Sequence, residues 1–158
     1  MQRMTRLLSS TAAAPGLRSI ESSRLRSRNE RWFASLILLL RAYSKLVHFD
    51  RCLARQAFAS LHNEVDTYPV ARTPAPPDYT DQVCRAVDMA CIWYWKEVLC
   101  LQRSATTVCL LRRVGVPAQM VVGVQQTPFK SHAWVEVEGR VVNDKPYMRD
   151  LYTVLDVC

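Results

Sequence analysis

Cys100, His132 and Asp144 are the residues whose types and order could perform nucleophilic catalysis in this chain. A cysteine attacks as its thiolate, and a helix N-terminus favours that form through its free N–H groups and dipole. The nucleophile also needs a base, and the base needs a third group to orient it. Cys100 stands where a helical pattern begins, in "CLQRSATTVCLLRRVGVPA". Of the three histidines, His132 opens a β-rich run behind a proline-containing loop, and Asp144 closes the next run. His48 and His62 fall in a helical stretch nearer the N-terminus and are expected to face solvent or pack. Each member also has a plain structural alternative. Cys100 can be a buried small residue, His132 a satisfied core or surface histidine, and Asp144 a turn or cap residue.

The elements that would position these side chains can be read around them. From Cys100 the pattern Leu101, Ala105, Val108, Leu111 forms one apolar helical face. Gly115 suits the position just past the helix end, and Pro117 prevents continuation. Cys109 on the same helix is expected to be core. Then come the β-rich runs "AQMVVGV", "HAWVEVE" and "VVND", the first two separated by the loop "QQTPFKS". The last two form a hairpin about Gly139. Side chains alternate faces along a strand, so the turn length decides whether His132 and Asp144 share a face. A two-residue turn separates them. The catalytic reading therefore requires an odd-length turn or a bulge centred on Gly139. The final stretch "KPYMRDLYTVLDVC" shows no clear period.

Upstream, "DTYPVARTPAPPDYTD" is too rich in proline for a helix and reads as a connector. Asp78 or Thr80 is placed to cap the next helix. That helix carries the stripe Val83, Ala86, Val87, Ala90, Tyr94, with Cys84 and Cys91 also expected in the core. Residues 31–64 read as one or two helices. The apolar run "WFASLILLL", residues 32–40, is far short of the roughly 20 residues of a membrane span. It is expected to be a buried helix, with docking on a partner or a membrane face as the alternative. The order, helices and then a small antiparallel sheet, is an α+β pattern. The expected organisation is a disordered basic tail at 1–30, a helical region with its connector at 31–77, and a core at 78–158.

Composition narrows the function classes. The chain's 158 residues suit one domain, and its 49% hydrophobic content is ordinary for a globular protein. The formal net charge is +7, but the first 31 residues hold seven arginines against two glutamates. The rest is near neutral and lacks basic residues interleaved with aromatics, which argues against a nucleic-acid partner. The tail loosely resembles an organelle transit segment, and equally suits a disordered extension. The six cysteines form no CxxC pair and match no zinc spacing, so no metal site is assigned. With no secretion pattern, they are expected to be reduced thiols in a cytoplasmic protein. Arg112 and Arg113 are expected to form a solvated face.

The segment "CLQRSATTVCLLRRVGVPAQMVVGVQQTPFKSHAWVEVEGRVVND" resembles the transglutaminase-like core of lasso peptide leader-processing proteases. The matching features run in series: a Cys-Leu-x-Arg helix start, "RRVGVPA", "VVGV", "SHAWVEVEG" and "VVND". The resemblance is strong over residues 100–144 and weak before them. It implies a papain/transglutaminase-like core with Cys100 as nucleophile, His132 as base and later acid, and Asp144 as the orienting group. It implies a cysteine protease that removes the leader from a ribosomally made precursor peptide. A separate leader-recognition protein would act in trans, and an ATP-dependent lasso cyclase would follow. The oxyanion hole would use the Cys100 backbone N–H and one further donor. Trp95 and Trp134 are the candidates for that donor or for a substrate groove. ATP dependence is implied for some members; no phosphate-loop motif occurs, so no cofactor site is assigned. A transglutaminase-like acyltransferase or a non-catalytic peptide-binding scaffold would share the same core.

Overall fold

The computed structural model describes residues 15–158 apart from 56, 74, 75 and 77, with side chains described from residue 32. Residues 1–14, part of the expected tail, lie outside the described residues. Helix α1 runs Pro15–Ala54, α2 Phe58–Thr67, α3 Tyr79–Ile92 and α4 Cys100–Arg113. Strands β1 (Ala118–Gln125), β2 (Lys130–Val137) and β3 (Arg140–Val141) follow, then a short helix α5 (Met148–Leu151) and strand β4 (Thr153–Val157). Residues 15–30, expected to be disordered, are helical. Proline is well suited to a first helical turn, and no glycine or proline interrupts the chain from Leu17 to Ala54. Residues 1–34 and 35–158 divide into two units. The second unit therefore holds residues 35–77 of the region expected at 31–77 together with the core expected at 78–158.

The sheet has the order β3-β2-β1-β4, all antiparallel neighbours. Strand β4 comes from the stretch without a clear period, because it is an edge strand with exposed and half-exposed positions rather than a clean alternation. The main core lies on one face of the sheet. Leu46 and Phe49 of α1, Leu61 of α2, Val87 of α3, and Val108 and Leu111 of α4 meet Met120 and Val135 there. A smaller cluster of Val121, Trp134 and Met148 covers the other face. The expected stripe on α3 is buried or half-buried throughout. From residue 35 onward the apolar run is split rather than buried: Leu38 faces the core, while Leu36, Ile37 and Leu40 are exposed. No described helix is long and apolar enough to cross a membrane.

The end of α4 is closed by the N–H of Gly115 on the Arg112 carbonyl and that of Val116 on the Leu111 carbonyl. This is the paired-bond motif that wants a left-handed residue just past the helix. Gly115 supplies it with φ +88°, and a Cβ there would also strike the Thr73 carbonyl oxygen. Arg112 is not on a solvated face, in contrast to Arg113. It is buried and donates to the carbonyls of Val65 and Ala118. The Val65 carbonyl also accepts from the Tyr68 N–H that closes α2, and Arg112 ties that helix end to the start of β1. Asp78 occupies the N-cap position of α3 with φ 66° and makes no side-chain cap bond.

Candidate active site

Cys100 is the first residue of α4, so the free N–H groups of the first turn surround it. The turn holds no acid, and Arg112 and Arg113 sit in the last turn, a charge distribution that complements the helix dipole. Gln102, buried two residues on, fixes the helix start. Its Oε1 accepts from the Leu99 N–H at 2.8 Å, and its Nε2 donates to Asp50 Oδ1 at 2.7 Å. Asp50 also pairs with Lys96 at 2.6 Å. Helix α1 thereby holds both the segment leading into Cys100 and the first turn after it. Arg103 donates to Asp88 at 2.7 Å, which ties the same turn to α3.

His132 lies on β2, and its Nε2 is 2.9 Å from Asp144 Oδ2. Cys100 and His132 also shift each other's ionisation, as a thiol and an imidazole side by side do. The Cys100 thiol is held below the ordinary thiol range. His132 is the largest cause; burial opposes it, and the backbone N–H groups of Ala133 and Leu101 add to it. His132 is raised, chiefly by Cys100 and also by Asp144, with burial acting the other way. Burial pushes the Asp144 carboxyl up, but His132 and the Lys145 N–H outweigh it and hold the acid below its usual range. The three shifts agree with a thiolate–imidazolium pair backed by a carboxylate. The other buried thiols go the opposite way: burial drives Cys84 to about 11, Cys109 to about 12 and Cys158 to about 11. All six cysteines are free.

The hairpin corrects the expected route to this arrangement. Its turn is two residues long, Glu138 and Gly139, both with positive φ, and it pairs Val137 with Arg140 and Glu136 with Val141. Continued regularly, that register would put Asp144 on the α4 face, away from His132. The ladder instead stops after Val141. Val142 N–H still reaches the Val135 carbonyl at 3.0 Å. The return bond from the Val135 N–H, however, goes to the side-chain Oδ1 of Asn143 at 2.7 Å. This bend resets the alternation. Asn143 turns to Ser104 of α4, and Asp144 to His132. The parity break sits at residues 142–144, not at Gly139.

Trp134 does not line a groove. It is fully buried, its indole N–H donates to Glu136 at 2.8 Å, and its ring stacks beside His132 at 6.4 Å between centroids. Tyr152 flanks His132 on another side at 5.5 Å. Gly123 pairs directly with His132 across the sheet, and a Cβ there would come within 2.9 Å of the Trp134 ring. The ring fits beside the histidine because that position has no side chain. Glu136, also buried, receives a two-pronged bond from Arg149. Trp95 is exposed in the segment before Cys100 and stacks on Tyr94 at 4.1 Å. His48 bonds Glu64 and His62 bonds Asp156, both at 2.6 Å, and neither joins the Cys100 group. His62, Asp156 and Cys158 have donor atoms within 4.8 Å of one another. Burial keeps the Cys158 thiol protonated, which disfavours a metal there.

Sequence reasoning missed Asn143, Ser104, Gln102 and Asp50. Asn143 stood beside Asp144 in "VVND", where a turn-forming residue suffices to explain it. The others are polar residues in helices, and only tertiary contact reveals what they do.

The family model for the transglutaminase-like superfamily matches residues 43–157. The microcin J25-processing protein McjB of Escherichia coli is 45% identical over 56 residues, 35% of this chain. That stretch spans 27%, about a quarter, of the relative's own length. No solved structure matches significantly. The family match takes in most of the chain, including α2, α3, α4 and the whole sheet with Cys100, His132 and Asp144, and this chain belongs to the transglutaminase-like superfamily.

Proposed function

We propose that this chain is a cysteine peptidase that removes the leader from a ribosomally made precursor in lasso peptide maturation. The observation that carries the reading is the His132–Asp144 bond, supported by the lowered Cys100 thiol and the raised His132 beside it. Support comes from the partial likeness to a protein named for processing microcin J25.

The chemistry follows from the geometry. With Nε2 of His132 on Asp144, Nδ1 is left to exchange a proton with Cys100. The thiolate attacks the leader–core carbonyl, and the imidazolium protonates the departing core amine. Water, deprotonated by the same ring, then hydrolyses the thioester and frees the leader carboxylate. The first-turn N–H groups of α4 are the natural donors for the oxyanion, with the Cys100 N–H foremost. Asp144 keeps the ring in the useful tautomer and stabilises its charged form. The protein acts in the cytoplasm with a leader-recognition protein in trans, ahead of an ATP-dependent cyclase.

The test is to combine the chain with the recognition protein and precursor and to weigh the products. Wild type releases the leader and Cys100→Ala does not; cleavage by Cys100→Ala removes the reading. Acyl transfer to an added amine in place of hydrolysis would reassign the chain to the acyltransferase branch of the same chemistry.

A further inference from the structure

Each of the three site residues has a neighbour in a second, buried polar set. Ser104 lies one helical turn after Cys100 on α4, Ala133 follows His132 on β2, and Asn143 precedes Asp144. These neighbours are bonded to one another. Ser104 Oγ donates to the Ala133 carbonyl at 2.9 Å, and Asn143 Nδ2 donates to Ser104 Oγ at 3.2 Å. Asn143 Oδ1 takes the Val135 N–H at 2.7 Å. Ser104 is 0% and Asn143 6% exposed.

Burying an amide and a hydroxyl is unfavourable unless they are bonded. Here both find partners, and the Asn143 side chain displaces a backbone carbonyl from the ladder to do so. A plain continuation of the hairpin would satisfy the backbone without any of this, but would leave Asp144 on the wrong face. The bend therefore needs something to hold it, and the Asn143 amide is the group that does. Ser104 is the contact that refers the bend to the helix carrying the thiol.

We propose that Asn143 and Ser104 are positioning residues, which lock the phase slip delivering Asp144 to His132 and register it against the Cys100 helix. The proposal rests on the peptidase reading of Cys100, His132 and Asp144. Neither residue touches the reacting atoms. Loss of either loosens Asp144 from His132, so the imidazolium is less supported and the thiolate is less favoured. A pKa rise of one unit lowers the thiolate fraction about tenfold on the acid side.

The experiment follows iodoacetamide labelling of each cysteine by peptide mass in the full chain, from about pH 5 to about pH 9, where a perturbed thiol titrates. Wild type, Asn143→Ala and Ser104→Ala are compared, with thermal melting alongside. The expected result is a shift of the Cys100 profile to higher pH in both variants, with labelling near pH 6 reduced about tenfold. Cys84, Cys109 and Cys158 stay protected. A wild-type profile in a folded variant overturns the proposal. So does equal exposure of Cys84, Cys109 and Cys158 at temperatures below melting, which marks a general packing role. Ser104→Ala removes one oxygen only and decides the matter if Asn143→Ala does not fold. A wild-type Cys100 no more reactive near pH 6 than the half-exposed Cys52 and Cys91 is a different result: it sinks the peptidase reading itself.

Discussion

His132 and Asp144 are bonded at 2.9 Å although the hairpin that carries them, extended regularly, would place them on opposite faces of the sheet. The bond exists because strand β3 ends after two residues and the chain bends through Asn143. Asp144→Asn keeps the volume but exchanges a charge for an amide that can hold the wrong tautomer. Leader release should fall by about a hundredfold or more, with melting little changed. Near-wild-type turnover in Asp144→Asn would remove Asp144 from the mechanism.

The pH profile should be bell-shaped. Cys100 is lowered, so its thiolate survives to a pH below the ordinary thiol range, and activity rises as that group ionises. His132 is raised, so the imidazolium needed by the departing amine persists above the usual histidine range and is lost as pH climbs through its shifted value. The optimum lies between these two steps. Rates that keep rising into the ordinary thiol range would contradict the lowered Cys100.

Arg149→Ala should destabilise the fold through Glu136. That carboxylate is fully buried and would lose both prongs of its partner. Arg149 is about half exposed, so solvent tempers the loss, and a cost of about 2 kcal/mol is expected. Burial raises the Glu136 acid, Arg149 and Trp134 more than offset it, and the net position is lowered. The contribution is therefore present above the acid's unfolded value and lost as pH falls through the depressed one. Denaturant melts of both proteins should converge in acid; a gap that stays constant would refute the assignment.

Gly115→Ala should be costly for two separate reasons. The left-handed backbone disfavours any side chain, and the new methyl would meet the Thr73 carbonyl oxygen. A loss of about 1–3 kcal/mol is expected from the conformation alone, and more with the clash. Chemical denaturation measures it. Gly139→Ala makes a useful comparison, since that glycine also has positive φ but open space around it. Equal losses in the two would show that the Thr73 contact contributes nothing.

Much of the site could be read from the chain because its three residues lie in one segment with strong local signals. A helix start, a glycine stop, alternating strands and a turn at Gly139 all agree with one another. The helix beginning at Cys100 is where the pattern put it. The hairpin's phase was not legible, since a bend held by one asparagine side chain has no periodicity to betray it. Strand β4 escaped for a related reason: an edge strand with only intermediate and exposed positions does not alternate cleanly. Arg112 looked like surface because it sits beside Arg113, and only the carbonyls of Val65 and Ala118, brought to it by the fold, explain its burial.

The bond from Gln102 to Asp50 carries a consequence for how the protein can be divided. The surroundings of Cys100 are local in space but scattered along the chain, with the supporting acids Asp50 and Asp88 upstream of the cysteine and His132 and Asp144 downstream. Excising the stretch that carries all the recognisable motifs would strip the first turn of α4 of its anchor and the core of its α1 side chains. Any transplant, split or circular permutation of this chemistry has to take the region around Asp50 with it. The structural unit here is the tethered helix, not the motif.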